Sequence, residues 1–253
     1  MGRIGLVIPA LDEEEALPLV LAELPRESLD RVVVVDNGST DRTAEVAREW
    51  GAEVVGEPRK GYGQACLAGI ARLDEPAPEG FAQGAAALGD DDVVVFLDAD
   101  HSDYPEELSR LVEPIRAGRA ELVIGSRILG GASRQALLPQ AWFGNRLACF
   151  LMRVLFGARY TDLGPFRAIR RSALRRLEMS DRDFGWTVEM QLKAVSLGVS
   201  VEEVPVRYRR RIGESKITGT LSGTLRAGWK ILGWILVWRI KLLVTRARSP
   251  RSR

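Results

Sequence analysis

The chain has 253 residues, 46% hydrophobic and 28% charged, which suits one generous folded domain and excludes disordered and collagen-like classes. Lys and Arg number 36 against 34 Asp and Glu, a net charge of +2, too balanced for a dedicated nucleic-acid binder. Two cysteines, Cys66 and Cys149, and one histidine, His101, exclude a disulfide framework, a cysteine-rich zinc site and paired-histidine metal motifs, and fit a reducing compartment.

From the N-terminus, Ile4–Ile8 is a short continuous apolar run of the kind that forms buried parallel strands. The same run is too short for a secretory signal, is broken by Pro9 and is followed at once by Asp12, Glu13, Glu14 and Glu15. Leu17–Leu24 reads as a helix with Pro18 in its first turn. Arg31–Val35 is a strand ending at Asp36, and Asn37-Gly38-Ser39 is turn chemistry before a helix that runs to about Trp50. A short strand near Glu53–Val55 and a helix over 63–73 follow. Gly61-Tyr62-Gly63-Gln64 does not complete a dinucleotide fingerprint, and no Walker loop is present.

Residues 74–92, rich in Ala, Gly, Pro and acid, read as a flexible surface insertion. Val93–Leu97 is the strongest strand signal and ends in Asp98-Ala99-Asp100. A helix from Pro105 to about Ala117 and a strand Leu122–Ile124, ending at Gly125-Ser126-Arg127, complete a β-α-β-α order. That order implies an α/β fold, one domain with a mostly parallel sheet and helices on both faces. Beyond Arg127 the expectations are an apolar segment Leu147–Phe156, an amphipathic helix Phe184–Leu197 and a strand Val201–Tyr208. The charge run Arg170, Arg171, Arg175 and Arg176 reads as a solvated helix face. The domain is set at 1–217, followed by a C-terminal apolar helix over 218–245 and a basic tail over 246–253.

In open parallel sheets ligands bind beyond the carboxyl ends of the strands. Asp36, the pair Asp98 and Asp100, and Arg127 all stand at such ends, so they should converge on one cleft. Carboxylates crowded in a cleft repel, and an Asp-x-Asp suits a hard divalent ion that keeps open positions for diphosphate oxygens. The competing reading is that these acids merely punctuate turns.

Val7-Ile8-Pro9-Ala10-Leu11-Asp12-Glu13-Glu14, then Val35-Asp36-Asn37-Gly38-Ser39-Thr40-Asp41, then Leu97-Asp98-Ala99-Asp100 resemble the successive motifs of family 2 glycosyltransferases. Val123–Arg127, Glu203-Val204-Pro205-Val206 and the stretch Arg210–Lys216 resemble the branch of dolichyl-phosphate mannose synthases and polyprenyl-phosphate glucosyltransferases. The resemblance implies a GT-A-like fold and a metal-dependent, inverting transfer of a hexose from a GDP- or UDP-sugar to a polyprenyl phosphate. It implies that Pro9, Leu11, Glu13, Val34 and Asp36 hold the nucleoside. Asp98, Ala99 and Asp100 would sit at the diphosphate with Mg²⁺ or Mn²⁺, and Arg127, Arg210 and Lys216 would neutralise phosphates. Departures are Leu11 where an aromatic is common, Ser102 where a Gln often follows the aspartates, Gly164-Pro165 in place of Ser-Gly, and Gln140 near an expected arginine.

An anionic phosphate acceptor needs no general base, whereas a hydroxyl acceptor does. Glu189 stands near where relatives place that base, which leaves a hydroxyl-acceptor enzyme as the alternative. The uncharged run Ile231–Trp238 is too short to span a bilayer. Trp229, Trp234 and Trp238 with the basic tail suit a membrane interface over 229–253, against the alternative of a helix docked on protein. The expectation is a cytoplasmic protein, peripheral on the cytoplasmic membrane face, with no nucleic-acid partner.

Overall fold

The computed structural model describes residues 2–78, 86–132, 139–213, 229 and 231–240. Seven strands form one sheet: β1 (Ile4–Ala10), β2 (Arg31–Asp36), β3 (Glu53–Gly56), β4 (Val93–Phe96), β5 (Leu122–Ser126), β6 (Arg167–Arg170) and β7 (Val201–Pro205), in the spatial order β3-β2-β1-β4-β6-β5-β7. All pairings are parallel except those of β6, which runs antiparallel between β4 and β5. The expected α/β class therefore holds, with one reversed strand inserted.

Alternate residues of the buried strands feed two cores. Leu6 and Ile8 of β1 face a cluster that holds α1 (Leu17–Ala22) and α4 (Leu108–Arg116). Val7 faces a second cluster with α3 (Tyr62–Leu73), α6 (Arg171–Leu177) and α7 (Trp186–Ser196). Two-sided burial is why β1 shows a continuous apolar run rather than alternation. Helix α2 (Thr43–Trp50) follows β2, and α5 (Pro139–Phe156) runs far beyond its expected apolar half.

Two expectations change, and a third is seen only in part. The ends of the 74–92 insertion are packed: Leu88 is buried in the second core, Asp92 pairs with Arg3 at 2.8 Å and Asp74 pairs with Arg171, while 79–85 lie outside the described residues. The arginine run is only half solvated, because Arg171 is buried on Asp74 while Arg175 and Arg176 pair near the surface with Asp90 and Glu121. Of the expected C-terminal helix and basic tail, 218–228, 230 and 241–253 lie outside the described residues, and 231–240 dock on protein along one side. Residues 231–240 are helical, Ile235 is buried, Trp234 donates to Asp181 at 2.6 Å and Trp238 to Ser196 at 2.8 Å. Among the described residues no helix is long and apolar enough to cross a membrane.

Candidate active site

Parallel β1, β2 and β4 deliver their carboxyl ends to one edge of the sheet. There Leu11 and Glu13, Asn37, and Asp98 with Asp100 line a cleft of about 410 Å³. Chain order reverses at this edge, since β2 and β3 lie on one side of β1 and β4 on the other. Pro9, Ala10, Ala99, Lys60, Gly61, Tyr62 and Ala65 complete the lining with Asp183, Phe184 and Arg211.

The strand-end loops are cross-tied. Asp12 takes a positive φ of 51°, its N–H donates to Ser39 and its carboxylate accepts from Thr40 N–H at 2.7 Å. Glu13 N–H donates to Thr43 Oγ1 at 2.8 Å. Asn37 donates to the Glu57 and Arg59 carbonyls and accepts from Gly61 N–H, which fixes the entry to α3. Gly61 and Gly63 let the segment 181–183 approach: a Cβ at either would stand 2.1–2.2 Å from the carbonyl oxygens of Arg182 and Asp181.

At the centre, Asp98 accepts a 2.9 Å hydrogen bond from Tyr62 and opens towards the cleft. Burial, and then the neighbouring Asp100, push its carboxyl up to about 6. Burial beside the Asp98 carboxylate pushes the Tyr62 hydroxyl well above its usual range, so it stays a proton donor. Asp100 Oδ1 accepts from Ser102, which occupies the position where Gln was noted as common, and Asp100 Oδ2 lies 3.1 Å from Arg211. Among the described residues no third carboxylate, histidine or cysteine converges with this pair. Two mutually repelling acids with an open side fit a divalent ion that takes its remaining ligands from phosphates and water.

Of the residues expected at the nucleoside, Pro9, Leu11 and Glu13 line the cleft. Val34 does not, because its side chain is fully buried in the first core. Asp36 ends β2 beside the cleft, where it accepts from Ser39 N–H at 3.0 Å, and Asn37 is the lining residue instead. Arg127 is set back in a two-point ion pair with fully buried Asp162, its guanidinium 5.0 Å from the Tyr208 ring. Arg210 is exposed and away from the lining, Arg211 being the cation that enters. Lys216 lies outside the described residues.

Glu189 is neither a surface residue nor part of the lining. It is fully buried, accepts from Ser180 N–H and Oγ and from Asp181 N–H, and pairs with Lys193 at 2.8 Å. Asp181 in turn accepts from the Asp183 and Gly185 amides, so Glu189 anchors the loop that carries Asp183 and Phe184 to the cleft. Tyr62, Lys60, Asn37, Asp183 and Arg211 were not singled out from the sequence. Asn37 and Arg211, each inside a matched motif, carried a signal that could have been used.

The family model described as glycosyl transferase family 2 matches residues 6–178. A dolichyl-phosphate hexose transferase of Haloferax volcanii is 33% identical over 245 residues, covering 94% of this chain and 96% of its own. An undecaprenyl-phosphate mannosyltransferase of Micrococcus luteus is 33% identical over 241 residues, covering 87% and 90%. Among solved structures, glucosyl-3-phosphoglycerate synthase from Mycobacterium tuberculosis, in complex with Mn²⁺, UDP and glucosyl-3-phosphoglycerate, superposes with a TM-score of 0.71. It is 22% identical, and the match covers 94% of this chain and 80% of that one.

Proposed function

Since this chain belongs to glycosyltransferase family 2, we propose that it transfers a hexose from a GDP- or UDP-sugar to a polyprenyl phosphate, with inversion at the anomeric carbon. The observation that carries the reading is the Asp98–Asp100 pair at the switch point of the sheet, in a chain similar almost end to end to two polyprenyl-phosphate sugar transferases. A structural neighbour that binds Mn²⁺ and UDP supports the metal and the nucleotide.

In this reading Pro9, Leu11 and Asn37 wall the nucleoside, with Glu13 and the nearby Asp36 accepting its hydrogen bonds. Asp98, Ala99 and Asp100 meet the diphosphate, and the two aspartates hold Mg²⁺ or Mn²⁺. Such an ion would neutralise charge that grows on the departing nucleoside diphosphate. Tyr62 fixes the rotamer of Asp98 and keeps its other oxygen turned to the cleft. Lys60 and Arg211 add positive charge at the cleft wall. Arg127, committed to Asp162, and exposed Arg210 lie off this lining and take no phosphate role in the reading, while Lys216, which the motif resemblance assigns to the phosphates, lies outside the described residues.

The acceptor phosphate is an anion at neutral pH and attacks without a base. The engagement of Glu189 with three donors and Lys193 supports this acceptor over a hydroxyl that would need Glu189 as its base. Were a hydroxyl used, Asp183 would be the better placed carboxylate, because it lines the cleft.

Peripheral membrane contact belongs to the same reading. On α5, Phe143, Phe150 and Val154 are each at least 60% exposed, at helical spacing, with Arg146 and Arg153 beside them. On the 231–240 helix, Leu236, Val237 and Ile240 stay exposed although Ile235 is buried. Between Glu121 and Asp162 the chain has five arginines and no acid, and beyond Glu214 nine basic residues and no acid. Apolar side chains set among cations suit an anionic bilayer on the cytoplasmic side.

The test is thermal unfolding with GDP and with UDP, each with Mn²⁺ or chelator, followed by transfer of labelled hexose to polyprenyl phosphate. Saturating nucleotide at about a hundred times its dissociation constant adds roughly 2.7 kcal/mol of stability, several degrees for a chain of this size. One nucleotide should stabilise, only with metal, and label should pass to the organic phase. No response to either nucleotide overturns the reading.

A further inference from the structure

We propose that Arg211 is a built-in counter-cation for the aspartate pair, which an arriving divalent ion must displace, so that metal and nucleoside diphosphate load cooperatively. This rests on the assignment of Asp98 and Asp100 to the metal and says how that site is held when neither ligand is there.

Arg211 bridges the cleft. One guanidinium nitrogen lies 3.1 Å from Asp100 Oδ2 and the other 3.1 Å from Glu13 Oε1, so the side chain links the loop after β4 to the loop after β1. The other arginines of this stretch are spent elsewhere: Arg207 on Glu106 and Glu107, Arg209 on Glu23, while Arg210 is exposed. The backbone here is tied to the aspartate loop, with Ile212 N–H donating to the Asp100 carbonyl at 3.0 Å and Arg209 N–H to that of Ser102 at 2.9 Å. Only the side chain is left to move.

Its bridge is incomplete. The Arg211 Nε is buried without a hydrogen-bond partner, a deficit that a guanidinium placed only for architecture would be expected to resolve. Arg167 meets that standard, with Nε and both terminal nitrogens donating to carbonyls of residues 163, 164 and 187.

A divalent ion on Asp98 and Asp100 would meet the Arg211 charge on the same carboxylate. Two cations cannot share Asp100 at close range without repulsion, so the ion binds as the guanidinium leaves. Released from Asp100, the guanidinium fork is still in the cleft, where its planar pair of N–H donors matches phosphate oxygens. Metal alone therefore binds against a resident competitor, whereas metal with a diphosphate offers the displaced arginine a new partner.

The test is Mn²⁺ binding, read by the loss of free-ion electron paramagnetic resonance signal, with and without GDP or UDP. The proteins are wild type, Arg211→Ala, Arg211→Lys and Asp100→Ala, their folding checked by circular dichroism. Without nucleotide, Arg211→Ala should bind Mn²⁺ roughly tenfold more tightly than wild type, and the gain that nucleotide brings to Mn²⁺ affinity should shrink by a similar factor. Arg211→Lys, which keeps the charge but cannot bridge two carboxylates, should fall between. Unchanged or weaker Mn²⁺ binding in Arg211→Ala overturns the proposal while the metal site stands. Wild-type Mn²⁺ binding that survives in Asp100→Ala overturns the metal assignment itself, and this proposal with it.

Discussion

At the scale of single residues, Asp98 and Glu189 show how one residue type takes opposite roles. Burial and then Asp100 raise the Asp98 carboxyl to about 6, so a proton competes with any cation there. A carboxyl whose folded value lies above its unfolded one costs stability progressively as pH climbs from about 4 to about 6. Relative to an Asp98→Asn variant, metal-free wild-type protein should lose stability across that window, and Mn²⁺ binding should strengthen across it; Mn²⁺ affinity flat with pH would contradict the assignment. Glu189 is instead a structural acid, fully buried and bonded to its loop. Glu189→Gln leaves Lys193 without its buried partner and should cost about 3 kcal/mol of unfolding free energy. It should raise the donor KM more than it lowers kcat. A collapse of kcat at unchanged melting temperature would restore Glu189 as a base, and Asp183→Asn supplies the matching test of the residue that does line the cleft.

Elements matter through how closely they approach. The loop that brings Asp183 and Phe184 to the cleft can approach because α3 starts with glycines against the 181–183 backbone. Gly61 has a φ of 147° and its Cβ would meet the Arg182 carbonyl, so Gly61→Ala is strained by conformation and by contact. The cost is on the order of 1–3 kcal/mol. It should move Phe184 and Asp183 and weaken nucleotide binding measured by calorimetry, whereas Gly51→Ala, strained but in open space, should leave that binding alone. Strand β6 is another element decided by tertiary contacts. Its four residues Arg-Ala-Ile-Arg carry too little apolar pattern to announce a strand, yet fully buried Arg167 is held by carbonyls of the neighbouring loop.

On the scale of the whole molecule, charge is segregated. A chain with a net charge of only +2 concentrates acid-free, arginine-bearing sequence in α5 and beyond Glu214. The double variant Phe143→Ser with Phe150→Ser removes two exposed side chains of α5 and should leave the fold intact. It should reduce co-flotation with vesicles containing anionic phospholipid, and the wild-type interaction should weaken with salt. Equal flotation of both proteins would reassign the face.

Much of this was legible in sequence order alone. Continuous apolar runs ending in Asp36 and Asp98 marked parallel strands and the edge at which they deliver acids, because a strand buried on both faces must be apolar throughout while its end need not be. The family followed from motifs whose spacing a linear reading preserves. What the tertiary structure decided is which neighbours in sequence become neighbours in space. Arg211 rather than Arg210 reaches Asp100, and Tyr62, thirty-six positions before Asp98, holds it. Glu189 turned inward to Ser180 and Asp181, and one side of the 231–240 helix packed on protein. A side chain's direction depends on rotamer, register and the partner supplied from elsewhere in the fold, and none of these is local to its own stretch of chain.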